Sequence, residues 1–396
     1  MPDPKPIAAV VTVYRRHSHA DVIVGKILEG PTYDGTNRFP LKLVSMYVDQ
    51  FPKNDMSRDL AKKHGFKLCD SIDEALTLGT GKLAVAGVLN IGEHGDYPTN
   101  KIGQTLYPRR RFFEEECKTF ERLKQTVPVF SDKHLAATWA DAKWMYDRSR
   151  ELMVPFQAGS SVPLTWRKPD LMLPKNTELT DAVMVGYGPA EAYGFHTLEG
   201  LQCMVERRKG GETGVAAVQI LSGEAMWKAC DDGKFSKELV EEAVRIIPTH
   251  AKGDYREITA KNKEATVWLI EYRDGFRAAI AMLNGYVHER AEDGGAFIFA
   301  GKIKGSAKPV SCQFYLQHDD PYGHFTAILK GFEFMVRTNH PPYPLERTLL
   351  TTGVLDAIMS SRDEGGKRVE TPHLKIAYTP TDWPAATGEI PKTIKR

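Results

Sequence analysis

Over the first 160 residues, short apolar runs alternate with helical patterns, and this alternation constrains the fold more than any other feature of the chain. The apolar runs are residues 7–14, 41–49, 67–69, 83–91, 127–131 and 154–161. Between them lie patterns with apolar residues every three or four positions, at 17–28, 54–64, 70–76, 109–125 and 136–152. Ser18, Asn54 and Ser71 stand where helix caps are expected. Strand and helix in strict alternation predict an α/β, Rossmann-like doubly wound parallel sheet with right-handed crossovers.

Such a sheet often holds a dinucleotide on a glycine fingerprint at its first strand–helix turn. Here the turn reads TVYRRHSH, Thr12 to His19, without a glycine. Side chains at those positions obstruct close approach to a pyrophosphate, so Arg15 and Arg16 become the candidate phosphate holders. Two surface arginines at a helix start are the plainer alternative. Asp49 ends the second apolar run, the place of a ribose-binding acid.

Ligands of open α/β sheets bind outside the carboxyl ends of the strands. The fifth run ends there in Asp132, Lys133 and His134, a lysine between an acid and a histidine. The fourth run leads into a long loop, residues 90–111, rich in glycine, proline and charge. It carries Glu93, His94 and Asp96, which suit either proton transfer or a divalent metal. Arg109 to Arg111 read as an anion clamp or as a solvated helix start.

After residue 161 the pattern changes to runs of strands with separate helices, which predicts an α+β region with a large open, mostly antiparallel sheet. Its helices are expected on one face, leaving the other to make a dimer or tetramer. On the helix after Pro189, His196 and Glu199 share a face, the arrangement of an imidazole held by a carboxylate. Tyr193, Trp166 and Tyr343 suit a pocket wall or the core. The expected organisation is residues 1–160, 161–380 and a tail from 381 to 396.

Three stretches resemble the Gfo/Idh/MocA family of glucose-fructose oxidoreductase and inositol dehydrogenase relatives. VFSDKHLA is similar to the family's EKPLA segment, with Asp132 in the glutamate position, Lys133 in the catalytic lysine position and His134 in place of proline. AYGFHTLEGL resembles the family's D-x-G-x-H-x-x-D stretch, in which Gly194 and His196 match and Glu199 takes the second acidic position. Ala192 occupies the first acidic position, with Glu191 beside it. Residues 332–370 resemble the family's closing helices.

The resemblance implies a carbohydrate-active enzyme that oxidises or reduces a sugar or glycoside hydroxyl with NAD or NADP. Lys133 would polarise the hydroxyl and His196 would accept its proton, with Asp132 and Glu199 completing the catalytic set. Glu93, His94, Tyr193 and Arg109 are the expected substrate contacts. The missing glycine fingerprint marks a divergent member and keeps a second class open. This is a non-redox lyase, isomerase or hydrolase, metal-assisted through Glu93, His94, Asp96 or His196.

Composition excludes other classes. A formal charge of +2 gives no electrostatic case for nucleic acid or an anionic membrane. No apolar run approaches the roughly 18 residues that span a bilayer, and the start lacks the pattern of an export signal. A cytoplasmic protein with a small-molecule substrate is expected. The five cysteines are dispersed without a CxxC pair, which fits packed, reduced thiols.

Overall fold

The computed structural model describes residues 3–288 and 291–396. Six parallel strands form the first sheet: β1 (Lys5–Val11), β2 (Leu41–Val48), β3 (Lys67–Cys69), β4 (Val88–Ile91), β5 (Val129–Asp132) and β6 (Phe156–Gly159). Their order is β3-β2-β1-β4-β5-β6, the dinucleotide-fold order with its switch point between β1 and β4. The intervening helices are α1 (His19–Glu29), α2 (Ser57–His64), α3 (Ile72–Thr77), α4 (Arg109–Leu123) and α5 (Trp139–Glu151). Ser18, Ser71 and Thr138 cap α1, α3 and α5 through their hydroxyls.

Two details differ from the sequence expectation. The fourth strand starts at Val88 rather than residue 83: Ala84 N donates to Leu76 O at the end of α3, and only from Ala86, whose N donates to Pro6 O, does the chain run beside β1. Helix α2 begins at Ser57 without a side-chain cap, so Asn54 does not cap it.

The second sheet has eight strands in the order β14-β9-β10-β11-β8-β12-β13-β7. In chain order this half runs β7 (Trp166–Lys168), β8 (Leu179–Gly186), α6 (Ala192–Val205), β9 (Val215–Ser222), α7 (Glu224–Asp231), α8 (Lys237–Arg245), α9 (Tyr255–Ala260), β10 (Thr266–Tyr272), β11 (Arg277–Met282), β12 (Phe297–Ile303), β13 (Val310–Tyr315), α10 (His324–Thr338), α11 (Leu345–Asp363) and β14 (Val369–Glu370). Only the β8–β11 pair is parallel.

Helix α6 covers one face of this sheet: a Cβ on Gly200 would strike Met184, and one on Gly186 would strike Thr197. Val183 and Val185 point to the opposite face and are equally buried, with α8 packed on β8 and β12. Helices therefore lie on both faces, not one. The apolar run at 374–378 reads as a closing strand in the sequence but forms none. Residues Pro372–Leu374 form a 3-10 turn, and Tyr378 makes only a lone bridge to Glu212.

Residues 381–396 run back along the surface as a strap. Trp383 packs on Phe334, Ala386 N donates to Leu164 O, and Ile394 N donates to Asp320 O. All five cysteines are buried and free. Among the described residues no helix is long and apolar enough to cross a membrane.

One buried group on α4 is left without a partner. Glu116 lies in the apolar layer with Phe113 and Phe120, and neither carboxylate oxygen has a hydrogen bond among the described residues. Burial alone pushes its carboxyl well above the usual range. The folded chain keeps a proton that the unfolded chain releases above a pKa near ~4.3. Stability from this position is therefore present at acid pH and is lost as pH rises towards the folded value. Glu116→Met is expected to stabilise the protein by about 1–3 kcal/mol at neutral pH and by less near pH ~5, read by urea unfolding. The same gain at both pH values would remove the carboxyl as the cause.

Candidate active site

The carboxyl ends of β1, β4, β5 and β6 meet α6 and the start of α10 around one cavity of about 330 Å³. The β5 end is turned into it by backbone conformation. Lys133 adopts φ +66°, and its backbone pairs with Gly159 in both directions, N to O at 3.2 Å and O to N at 3.0 Å. The lysine side chain is then 7% exposed, with Nζ 3.1 Å from Glu93 Oε1. Glu93 Oε2 accepts from Arg109 Nη2 at 2.5 Å. Burial pushes the Glu93 carboxyl up, but Lys133 and Arg109 outweigh it and hold the group well below the carboxylate range.

Arg109 continues inward. Its Nη1 is 3.1 Å from His134 Nε2, which is 3.6 Å from Glu191 Oε1. Burial and the Arg109 charge push His134 well down, and burial raises the Glu191 carboxyl. Arg109 is thus a brace behind Glu93, fully buried, and does not line the cavity.

His196 enters from α6. Its Nδ1 is 2.6 Å from Ser160 Oγ, which also accepts Val162 N–H at 3.0 Å. Burial and Lys133 push the imidazole well below its ordinary value. A neutral ring with Nδ1–H on Ser160 leaves the Nε2 lone pair for a substrate proton. Glu199 does not hold this histidine as the shared helix face suggested. It accepts from Ser160 N at 3.3 Å and from Thr351 Oγ1 at 2.6 Å, and so fixes the β6 end that carries Ser160. Burial raises its carboxyl.

Asp132 faces the β1 side, where its Oδ2 is 2.5 Å from His19 Nδ1. His19 also packs edge-on against His94, whose ring nitrogen accepts from His19 N at 3.4 Å. Burial and His19 push His94 down to about 4. Tyr193 lines the cavity and stacks on Phe297. Sequence reasoning missed His19, Ser160, His324 and Phe325, all placed here by contacts far apart in the chain.

The remaining expected residues lie elsewhere. Arg15 and Arg16 do not line the cavity; Arg16 donates to Asp320 Oδ2 at 2.6 Å and to Arg396 O at 2.7 Å. Asp49 accepts from Tyr47 OH at 2.8 Å, Tyr97 OH at 2.7 Å and Arg111 Nη2 at 2.5 Å. Burial raises the Asp49 carboxyl, but those donors outweigh it and bring it below the usual value. Asp96 is exposed, and its backbone pairs with the Gln50 amide in both directions. The four expected metal ligands therefore do not converge: Glu93 is taken up by two cations and Asp96 is outside. Among the described residues no three His, Cys, Asp or Glu side chains are grouped to hold a metal.

No protein-family model matches the chain, and no curated protein sequence matches it. Solved structures do match in fold. Scyllo-inositol dehydrogenase from Lactobacillus casei, with bound NAD(H) and scyllo-inositol, superposes with a TM-score of 0.58 at 11% identity, over 93% of this chain and 99% of that chain. Myo-inositol 2-dehydrogenase from Lactobacillus plantarum gives 0.55 at 9% identity, over 93% and 99%. A myo-inositol dehydrogenase from Corynebacterium glutamicum gives 0.52 at 12% identity, over 92% and 98%. The chain has the two-sheet fold of these dehydrogenases, the Gfo/Idh/MocA fold that its motifs resemble.

A dinucleotide fits this site at one end only. The cavity between Lys133 and His196 suits a nicotinamide ring or a sugar-sized group. Asp49, the strand-end acid that would hold a ribose, is already bonded to Tyr97 of the loop after β4, and its neighbour Gln50 to Asp96.

The geometry at Gly159 is testable. Its φ is +124°, and an added Cβ would lie 2.6 Å from Glu199 Oε2 and 2.9 Å from Thr348 Oγ1. Gly159→Ala is expected to cost about 1–3 kcal/mol of stability in chemical unfolding. It should also weaken whatever ligand the cavity binds, because Lys133 pairs with Gly159 through its backbone and Ser160 is held by the displaced carboxylate. An unperturbed variant would mean that this turn does not position the site.

Proposed function

We propose that the protein oxidises a secondary hydroxyl of a sugar or polyol, with NAD or NADP as hydride acceptor. The observation that carries this reading is the convergence of Lys133, at the end of β5, and His196, on α6 of the second half, on one cavity. A hydroxyl oxygen held by the Lys133 ammonium would gain carbonyl character as its proton passes to His196 Nε2. Ser160 keeps the imidazole in the tautomer that accepts, and Glu199 holds Ser160 in place. Glu93, braced by Arg109, fixes the ammonium in a buried position where its field is strong. Bound NAD or NADP would supply an acceptor for the hydride leaving carbon. Tyr193 and His94 are the further substrate contacts. At about 330 Å³ the cavity lies at the small end of ligand pockets, which suits one monosaccharide-sized ligand.

The experiment is native mass spectrometry with NAD and NADP, followed by a polyol panel read as reduced nicotinamide. Lys133→Ala and His196→Ala are each expected to cut turnover by about 10²–10⁴-fold. His196→Ala should leave the melting temperature nearly unchanged, whereas Lys133→Ala should lower it, because it takes one of two cations from the buried Glu93. Because burial depresses His196, kcat/KM should stay level as pH falls through 6.5 and drop only below it. A loss of activity centred at or above 6.5 would assign the base elsewhere.

The bonds at Asp49 favour a second reading, in which the same pair acts without a nicotinamide as a lyase, isomerase or hydrolase. Tyr97→Phe separates the two. It frees one Asp49 oxygen, so a protein that uses this acid for a ribose should bind NAD several-fold more tightly by calorimetry. No nucleotide binding by either form would support the second reading.

A further inference from the structure

We propose that the pocket has a second, nicotinamide-independent activity: proton exchange at the carbon next to the carbonyl of a keto-polyol, with His19 as the base. Hydroxyl oxidation moves one proton, and His196 accounts for it. The structure nevertheless presents a second imidazole of the same design on the other wall. His19 opens α1 on the first-sheet side and lines the cavity, while His196 comes from α6 on the second-sheet side. Each has its Nδ1 engaged, His19 by Asp132 at 2.5 Å and His196 by Ser160 at 2.6 Å. The His19 partner is a carboxylate only 1% exposed, which orients the ring and stabilises an imidazolium once Nε2 takes a proton.

The oxyanion partner is the next residue in the chain. Lys133 follows Asp132 on the same left-handed turn and is the one Lys or Arg side chain among the cavity's lining residues. A carbonyl oxygen on Lys133 Nζ, the position that the proposed oxidation gives it, would leave the neighbouring carbon in the same cavity as the Asp132–His19 pair. His19 Nε2 takes the α-proton, the C–H electron pair forms the C=C bond, and the C=O π pair moves to oxygen as an enolate held by the ammonium. Return of a proton from His19 to the same carbon restores the ketone. No electron acceptor is consumed. Proton transfer of this kind needs a base and an oxyanion stabiliser, and both are present without a dinucleotide.

This inference takes the carbonyl position from the proposed function, but its test uses a preformed ketone and no nicotinamide. The full-length protein is incubated in D2O with a keto-inositol and, separately, with 3-keto-glucose, and the α-hydrogen signals are followed by proton NMR. Wild type is expected to exchange at least one of them on the order of 10²-fold faster than buffer. His19→Gln should abolish that gain, and Asp132→Asn should reduce it at least tenfold while the melting temperature and the ketone-induced thermal shift are retained. If His19→Gln does not fold, Asp132→Asn decides alone. Buffer-rate exchange by wild type on both ketones overturns the proposal, as does wild-type exchange by either folded variant. A protein that oxidises polyols with NAD but does not exchange the ketones refutes this inference and leaves the proposed function standing. Exchange without nucleotide binding does the reverse.

Discussion

A single buried carboxylate holds the site together. Glu93 lies between Lys133 and Arg109, with its side chain 10% exposed and theirs 7% and 0%. Its backbone carbonyl also accepts from Thr12 Oγ1 at 2.6 Å. One residue thus ties the ends of β1, β4 and β5 to the start of α4. Burying three charges is costly, and apolar replacements of such clusters are often as stable. Removing a single member is different, because it strands the others, at about 3–5 kcal/mol. The arrangement is better understood as positioning than as stabilisation. It places one ammonium in a cavity whose other ionisable walls are mostly histidines, several of them held neutral by burial.

The sheet was legible because each strand and helix carries its own periodicity, and strict alternation with right-handed crossovers makes the strands parallel; the order of the strands was not legible in the same way. Lys133 and His196 were legible for a related reason: each sits in a short local stretch at a strand end or helix face. Their partners were not. His19 and Asp132 are 113 positions apart, and Ser160 and His196 are 36 apart, so no local pattern announces either pair. Glu199 shows the limit of helix-face reasoning. Three residues along a helix put two side chains on one side, but the carboxylate reaches deeper, to Ser160 N and Thr351, because those donors lie behind the imidazole. Asp49 was found as a strand-end acid, whereas Tyr97 and Arg111, which engage it, come from a long loop and the helix after it.

The same logic explains how a dehydrogenase fold can lack its glycine turn. Glycines there allow a pyrophosphate to approach backbone amides at a helix start. In this chain Thr12, Val13 and Tyr14 are buried, so side chains fill that space. The positive end of α1 is satisfied from within. Asp21, in its first turn, accepts His17 N–H at 2.9 Å, and Ser18 caps the helix. Asp21 also pairs with Arg396, and Asp320 pairs with Arg16 and Arg396.

That internal satisfaction shifts where a ligand is gripped. A helix start that already faces its own carboxylate offers an incoming phosphate less than an open one, since the partial charge there is only about half a unit. Among the lining residues, the fixed positive charge left to the cavity is the Lys133 ammonium, and Glu93 offsets part of it. Such a site draws weakly on a phosphate at a distance. It interacts strongly with an oxygen that gains negative charge within hydrogen-bond reach, because the field acts over a short path through low dielectric. On the proposed chemistry, binding strength would therefore reside at the reacting end of the ligand, where hydroxyl, carbonyl and enolate differ most in charge.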